Sequence, residues 1–156
     1  MNFYPPMNIA LRNPHVKFVF LAGSIEMGMA EDWQRLSEIF FNKHGWGTFN
    51  PRRPDWDNSW KQSFDEPQFF QQVTWELQGL EVSDLIILNL IPNTKSPISL
   101  LELGRFSNSG KLHVVCPEGF WRKGNVDIFC NRYEVPLYPS FTAFEEYFSK
   151  HIAISA

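Results

Sequence analysis

The sequence contains no run of apolar residues close to the ~20 needed to cross a bilayer, and residues 1–16 have no basic stretch followed by an apolar one. A soluble, cytoplasmic protein that neither enters a membrane nor is exported is therefore expected. There are only two cysteines, Cys116 and Cys130, with no CxxC pair and no zinc-ligand spacing, so both are expected as reduced thiols. The four histidines, His15, His44, His113 and His151, offer no i, i+4 pair, and no metal is implied. The net charge is only -3, with both signs interspersed, so the basic stripe that a nucleic-acid backbone demands is missing. Neither GxGxxG after the first strand nor GxxxxGK[ST] occurs, which disfavours a dinucleotide enzyme or an ATPase. No internal repeat or low-complexity tract interrupts the chain.

What the chain does have is apolar bulk: 44% of its 156 residues are hydrophobic and 16% aromatic, enough for one core and too little for two ordinary domains. Residues 1–15, rich in proline and without periodicity, read as an extended arm ahead of a domain spanning 16–156. Val16 to Ala22 is a buried strand closed by the Gly23-Ser24 turn. Helical spacing follows from Ala30 to Lys43, then a short strand from Trp46 to Asn50, ended by Pro51 and Pro54. A long polar and aromatic loop over 51–67 precedes a helix from about Gln68 to Glu81. Asp84 to Ile91 reads as a central strand, Ile98 to Asn108 as a helix stopped by Gly110, and Leu112 to Cys116 as a strand. A short helix from Asn125, a strand near 133–137 and an amphipathic helix near 141–151 complete the series.

This alternation predicts an α/β fold: a doubly wound, Rossmann-like, mostly parallel five-stranded sheet with helices on both faces. Ligands of such sheets bind beyond the carboxyl ends of the strands, where strand order reverses. That rule selects Gly23-Ser24, Arg52-Arg53, Thr94 to Ser99 and Pro117 to Asn125, with Glu76 and Glu102 on adjoining helices. Glu102 falls in the first or second turn of its helix, near the positive end that favours an ionised carboxylate. The same spacing suits an exposed helical glutamate, although the neighbours Ile98, Leu100, Leu101 and Leu103 are all apolar.

Five runs then carry a resemblance. They are Phe20 to Gly28 (FLAGSIEMG), Asn50 to Arg53 (NPRR), Trp75 to Leu77 with Asp84, Ser96 to Gly104 (SPISLLELG) and Cys116 to Asp127 (CPEGFWRKGNVD). As an ordered set over about residues 16–135 they resemble the nucleoside 2-deoxyribosyltransferase-like family, whose fold is flavodoxin-like. By that resemblance Glu102, in its Glu-Leu-Gly step, corresponds to the glutamate that attacks C1′ of a 2′-deoxyribonucleoside. A carboxylate suits this task because departure of the base leaves positive charge on C1′, which an adjacent anion stabilises and captures. The family's proton donor is an aspartate on the preceding helix, and the matching position is Glu76. Where many members carry an aspartate before the nucleophile, this chain has Thr94 to Pro97, so sugar and base preference stay open.

The remaining site candidates each admit two readings. Gly23 either lets the sugar approach the backbone or makes a plain strand-to-helix turn. Arg52 and Arg53 either clasp a 5′-phosphate or pair with Asp55 and Asp57. Trp56 and Trp60 either stack on a base or cover a sheet edge or subunit contact. Ser24, Asp57, Ser99 and Asn125 complete the expected lining, Asn125 through the family's sharing of this region between subunits of a homo-oligomer. The expected activity is base exchange between a nucleoside or nucleotide and a free nucleobase, with no cofactor. The rivals are hydrolysis of a nucleoside 5′-monophosphate and a non-catalytic nucleotide-binding domain on the same fold.

Overall fold

Consecutive large apolar residues at 18–21 and 85–88 have no solvent-compatible face, and both stretches form fully covered strands. The computed structural model describes residues 1–25 and 32–153. Its strands are β1 (Asn2–Phe3), β2 (Phe18–Gly23), β3 (Gly47–Phe49), β4 (Leu85–Asn89), β5 (Leu112–Val115) and β6 (Leu137–Tyr138). Its helices are α1 (Trp33–Lys43), α2 (Pro67–Val82), α3 (Pro97–Phe106), α4 (Lys123–Arg132) and α5 (Phe141–Tyr147), the last continued by a π-helical turn over Phe148–Ile152. The strands form one parallel sheet in the order β1-β3-β2-β4-β5-β6. The α/β class and parallel sheet are as the sequence predicts. The start of the first helix, expected at Ala30, and the Glu26–Gly28 part of the first motif run lie outside the described residues. No described helix is long and apolar enough to cross a membrane.

The sheet has six strands where five are expected. The extra one, β1, comes from the stretch read as an extended arm, and it pairs in parallel with β3 at Asn2–Thr48 and Phe3–Phe49. Two residues carry too little pattern to announce a strand, but Phe3 is buried among Phe18 and Phe49, with ring centroids 5.7 and 5.8 Å away. Burying such a ring contributes about 1.5–3 kcal/mol, which holds a very short edge strand in place. Further along the arm, Ile9 is buried in a 3-10 turn and the Trp75 indole N–H donates to the Met7 carbonyl at 2.8 Å.

The chain packs as two compact units. The first takes Met1–Leu21 and the chain from α1 to Ile86. Its centre is the stacked pair Phe18 and Phe49 at 4.9 Å. Asp84 anchors the start of β2 by accepting the Phe18 N–H at 2.8 Å, while its own N–H donates to the Phe18 carbonyl. A residue of the motif set is thus engaged in holding β2. The second unit takes residues 22–25 and the chain from Ile87 onward. There the closing ends of β2 and β4 meet, where the strand order reverses. Gly23 has φ +134°, and a Cβ on it would lie 2.2 Å from the Asn89 carbonyl oxygen. Glycine is required there by the backbone of the neighbouring strand.

Candidate active site

In the second unit, the turn after β2 and the loop after β4 are bound together by hydroxyl groups. Ser24, fully buried, donates its N–H to the Asn89 carbonyl at 2.9 Å, and its Oγ accepts the Ile91 N–H at 3.0 Å. The same Oγ lies 2.8 Å from Thr94 Oγ1 and 2.6 Å from Ser96 Oγ, and those two hydroxyls are 3.0 Å apart. Thr94 in turn donates to the Ile91 carbonyl at 2.8 Å. Ser96, in a left-handed conformation at φ +47°, is the N-cap of α3, and Pro97 pre-sets the first helical φ.

Glu102 is partly buried on α3. It is the sixth residue of that helix, in the second turn, where the macrodipole has largely faded. Its apolar neighbours do not enclose it: Ile98 and Leu101 are 59% and 70% exposed, while Ser99, Leu103 and Phe106 form the inner face. The apolar flanks expected to confine Glu102 are thus split between core and surface, as a 3.6-residue period demands. Asn125 sits on the exposed side of α4. The loop after β5 is tied to the loop before α3, since the Trp121 indole donates to the Lys95 carbonyl at 3.0 Å.

A cleft of about 270 Å³ opens beyond the ends of β5 and β6, lined by Cys116, Lys123, Asp127 and Tyr138 among others. Of the rim segments selected from the sequence only Pro117 to Asn125 reaches it, through Lys123, and neither Glu76 nor Glu102 lines it. The Lys123 ammonium group is engaged by both Asp127 oxygens, at 2.9 and 3.1 Å, with Glu118 at 3.8 Å. Cys116 and Cys130 are buried free thiols whose pKa burial pushes up to about 11 and about 12. No group of three metal-ligating side chains occurs among the described residues.

In the first unit, Glu76 projects from α2 and keeps some accessible surface, yet desolvation pushes its pKa up to about 7. The buried Gln72, one turn earlier, offsets part of this by donating Nε2 to Glu76 Oε1 at 2.8 Å. The same nitrogen donates to the Pro51 carbonyl at 2.9 Å, tying α2 to the end of β3. A carboxyl group in this condition is part-protonated near neutral pH and can both give up and take up a proton.

The two arginines after β3 are used differently. Arg52 donates Nε to Gln34 Oε1 at 2.9 Å, with Asp32 at 3.2 Å, and its backbone N–H goes to Asn50 Oδ1. Arg53 has a nearly buried side chain paired with Asp55 at 2.9 Å, hydrogen-bonded to Gln71 and lying over Trp60 at 4.9 Å. It organises the long loop. Trp56 stays local to that loop, edge-on to Trp60 at 5.2 Å and donating to Asn58. Asp57, exposed, accepts the Ser59 N–H at 2.8 Å, which holds its carboxyl below the usual range.

Of the expected residues, Gly23, Ser24, Ser99, Glu102 and Asn125 belong to the second unit, and Arg52, Trp56, Asp57 and Glu76 to the first. Sequence reasoning did not single out Gln72 or Gln34, and it selected the Thr94 to Ser99 stretch without the hydroxyl contacts to Ser24. Gln72 was readable as an i, i+4 partner of Glu76. The hydroxyl cluster joins residues 70 and 72 positions apart, which no local pattern signals.

Comparison with known proteins adds the following. The sequence model of a family described as nucleoside 2-deoxyribosyltransferase like matches residues 16–120. A crystal structure of a conserved protein from Enterococcus faecalis V583 superposes with a TM-score of 0.58 at 11% identity, covering 88% of this chain and 99% of that one. That likeness is one of fold. Among curated proteins none matches.

Proposed function

The chain belongs to the nucleoside 2-deoxyribosyltransferase-like family, and from that membership we propose that it exchanges the base of a 2′-deoxyribonucleoside through a covalent intermediate on Glu102. In the first half-reaction the N-glycosidic bond breaks as a Glu102 oxygen bonds to C1′, and Glu76 gives its proton to the departing base nitrogen. In the second, a nitrogen of the acceptor base attacks C1′, the Glu102 ester bond breaks, and the acceptor's proton passes to Glu76. Atoms and charge balance, and no cofactor enters. The single observation that carries this reading is the family match over residues 16–120; the Glu76 pKa of about 7 suits a carboxyl that donates and recovers a proton near neutrality. Glu76 takes the place of the family's aspartate, one methylene longer.

The proposed substrates are a nucleoside or nucleotide and a free nucleobase, and the proposed active form is a homo-oligomer. Exposed Ile98, Leu101 and Ile128 suit contact with a second copy. Incubation with deoxyinosine, with and without adenine, tests the reaction. Deoxyadenosine formed only when adenine is present supports transfer. Release of hypoxanthine without acceptor indicates hydrolysis instead, and no turnover of any deoxynucleoside or its 5′-monophosphate refutes both. Glu102→Ala should abolish turnover, whereas a binding module would keep its ligand affinity.

A further inference from the structure

We infer that the buried hydroxyls of Ser24, Thr94 and Ser96 form a positioning device that sets the start of α3 and thereby aims Glu102. This rests on the reading of Glu102 as the nucleophile. All of the groups involved lie in the second unit. An N-cap serine ordinarily spends its Oγ on a backbone N–H of the first helical turn. Ser96 caps α3 without any such side-chain bond. Its Oγ instead points to Ser24 Oγ at 2.6 Å and Thr94 Oγ1 at 3.0 Å, both buried. Its carbonyl still accepts the Leu100 N–H at 3.1 Å, so the residue held by the cluster is the one that begins the helical hydrogen-bond ladder.

Two further facts indicate that the position of Ser96 is imposed on it. A non-glycine residue at φ +47° is costly, and such outliers persist only where the surroundings over-determine them. The surroundings here are tied to the backbone of β4 and the turn after it. Ser24 Oγ accepts the Ile91 N–H, Thr94 donates to the Ile91 carbonyl, and Ser24 N–H is bound to Asn89. Gly23 allows β2 to close on the Asn89 backbone, which brings the Ser24 hydroxyl to this place. The end of β2 therefore acts as a template for a helix start that lies more than 70 residues later in the chain. Displacement of a reacting group by about 1 Å can cost about a hundredfold in rate.

The test compares Ser96→Gly, Thr94→Val and Thr94→Ser with the wild-type protein in steady-state turnover of deoxyinosine with adenine. Backbone hydrogen exchange at Leu100 to Leu103 is followed in the same samples. Ser96→Gly relieves the positive-φ cost while deleting the hydroxyl, so its melting temperature should stay within a few degrees of wild type. The expected result is faster exchange at the start of α3 in Ser96→Gly and Thr94→Val. Their kcat should fall by about tenfold to a hundredfold with KM changed less than about threefold, and Thr94→Ser should recover most of kcat. Unchanged exchange, or unchanged kcat in folded variants, overturns the inference. A raised KM with kcat retained also overturns it, because the hydroxyls would then act on substrate directly. Absence of turnover of every deoxynucleoside and 5′-monophosphate by the wild-type protein itself overturns the nucleophile reading and this inference with it, whereas the other failures leave that reading intact.

Discussion

Replacing Glu76 by glutamine should make the protein more stable at pH 8 while leaving it nearly unchanged at pH 4. An unfolded glutamate ionises near its ordinary value of 4.5, and in the folded protein burial keeps Glu76 protonated up to about 7. Between those values the native state binds more protons than the unfolded state, so stability falls as pH rises through the window and levels off above it. At about 1.4 kcal/mol per pH unit the full gap is worth about 3 kcal/mol, and the residual accessibility of Glu76 trims this to about 2–3 kcal/mol. Glutamine imitates the protonated acid, and its Oε1 can still accept the Gln72 N–H, so the variant loses the pH-dependent part alone. Urea unfolding of both proteins at intervals from pH 4 to pH 8.5 measures the difference, in which all other titrating groups cancel. In the wild type the same ionisation should lower kcat/KM above about pH 7, as the proton donor is lost. Parallel stability curves for the two proteins would show that Glu76 titrates like a solvated carboxylate and is no general acid at neutral pH.

Gly23→Ala combines a backbone region costly for alanine with a Cβ placed 2.2 Å from a main-chain oxygen, which no rotamer can relieve. A loss of at least about 3 kcal/mol, or about 6–12 °C in Tm, is expected by thermal unfolding. Gly104→Ala, where a Cβ meets nothing within 4 Å, should instead raise stability by up to about 1 kcal/mol, and equal losses at the two sites would contradict the packing described. Phe3→Ala should cost about 3–5 kcal/mol in urea unfolding, as for any core phenylalanine, whereas a loosely attached arm would give nearly none. Native Cys116 and Cys130 should react with a thiol reagent at pH 7.5 far more slowly than in the urea-unfolded chain, and prompt labelling of two thiols in the native protein would refute their burial.

Much of the fold was legible because its central strands are written as uninterrupted apolar runs. Phe18 to Leu21 and Leu85 to Leu88 allow few alternatives, and Pro67 and Pro97 mark helix starts at the first helical position. The strand Asn2–Phe3 was not legible, because a partner 46 residues away and a ring packed between Phe18 and Phe49 create it. At the candidate site, the motif runs marked the turns after the strands but not the work each side chain does. Asp84 holds a strand, Gly23 clears a backbone and Arg53 braces a loop against Trp60, each through a partner distant in sequence or set by loop geometry. What singles out Glu76 physically is its desolvation, a property of the packed structure that spacing along a helix does not reveal.

The central claim is that Glu102 carries the deoxyribosyl group between two bases, and peptide-level mass spectrometry tests it most directly. The protein is mixed with deoxyinosine in the absence of acceptor, quenched in acid within the first turnover, digested and sequenced. The account predicts a deoxyribosyl ester on the peptide spanning Ser96 to Gly104, located at Glu102, absent from Glu102→Gln and discharged when adenine is added before the quench. Turnover with no adduct on that peptide, or an adduct on another residue that persists in Glu102→Gln, would contradict it.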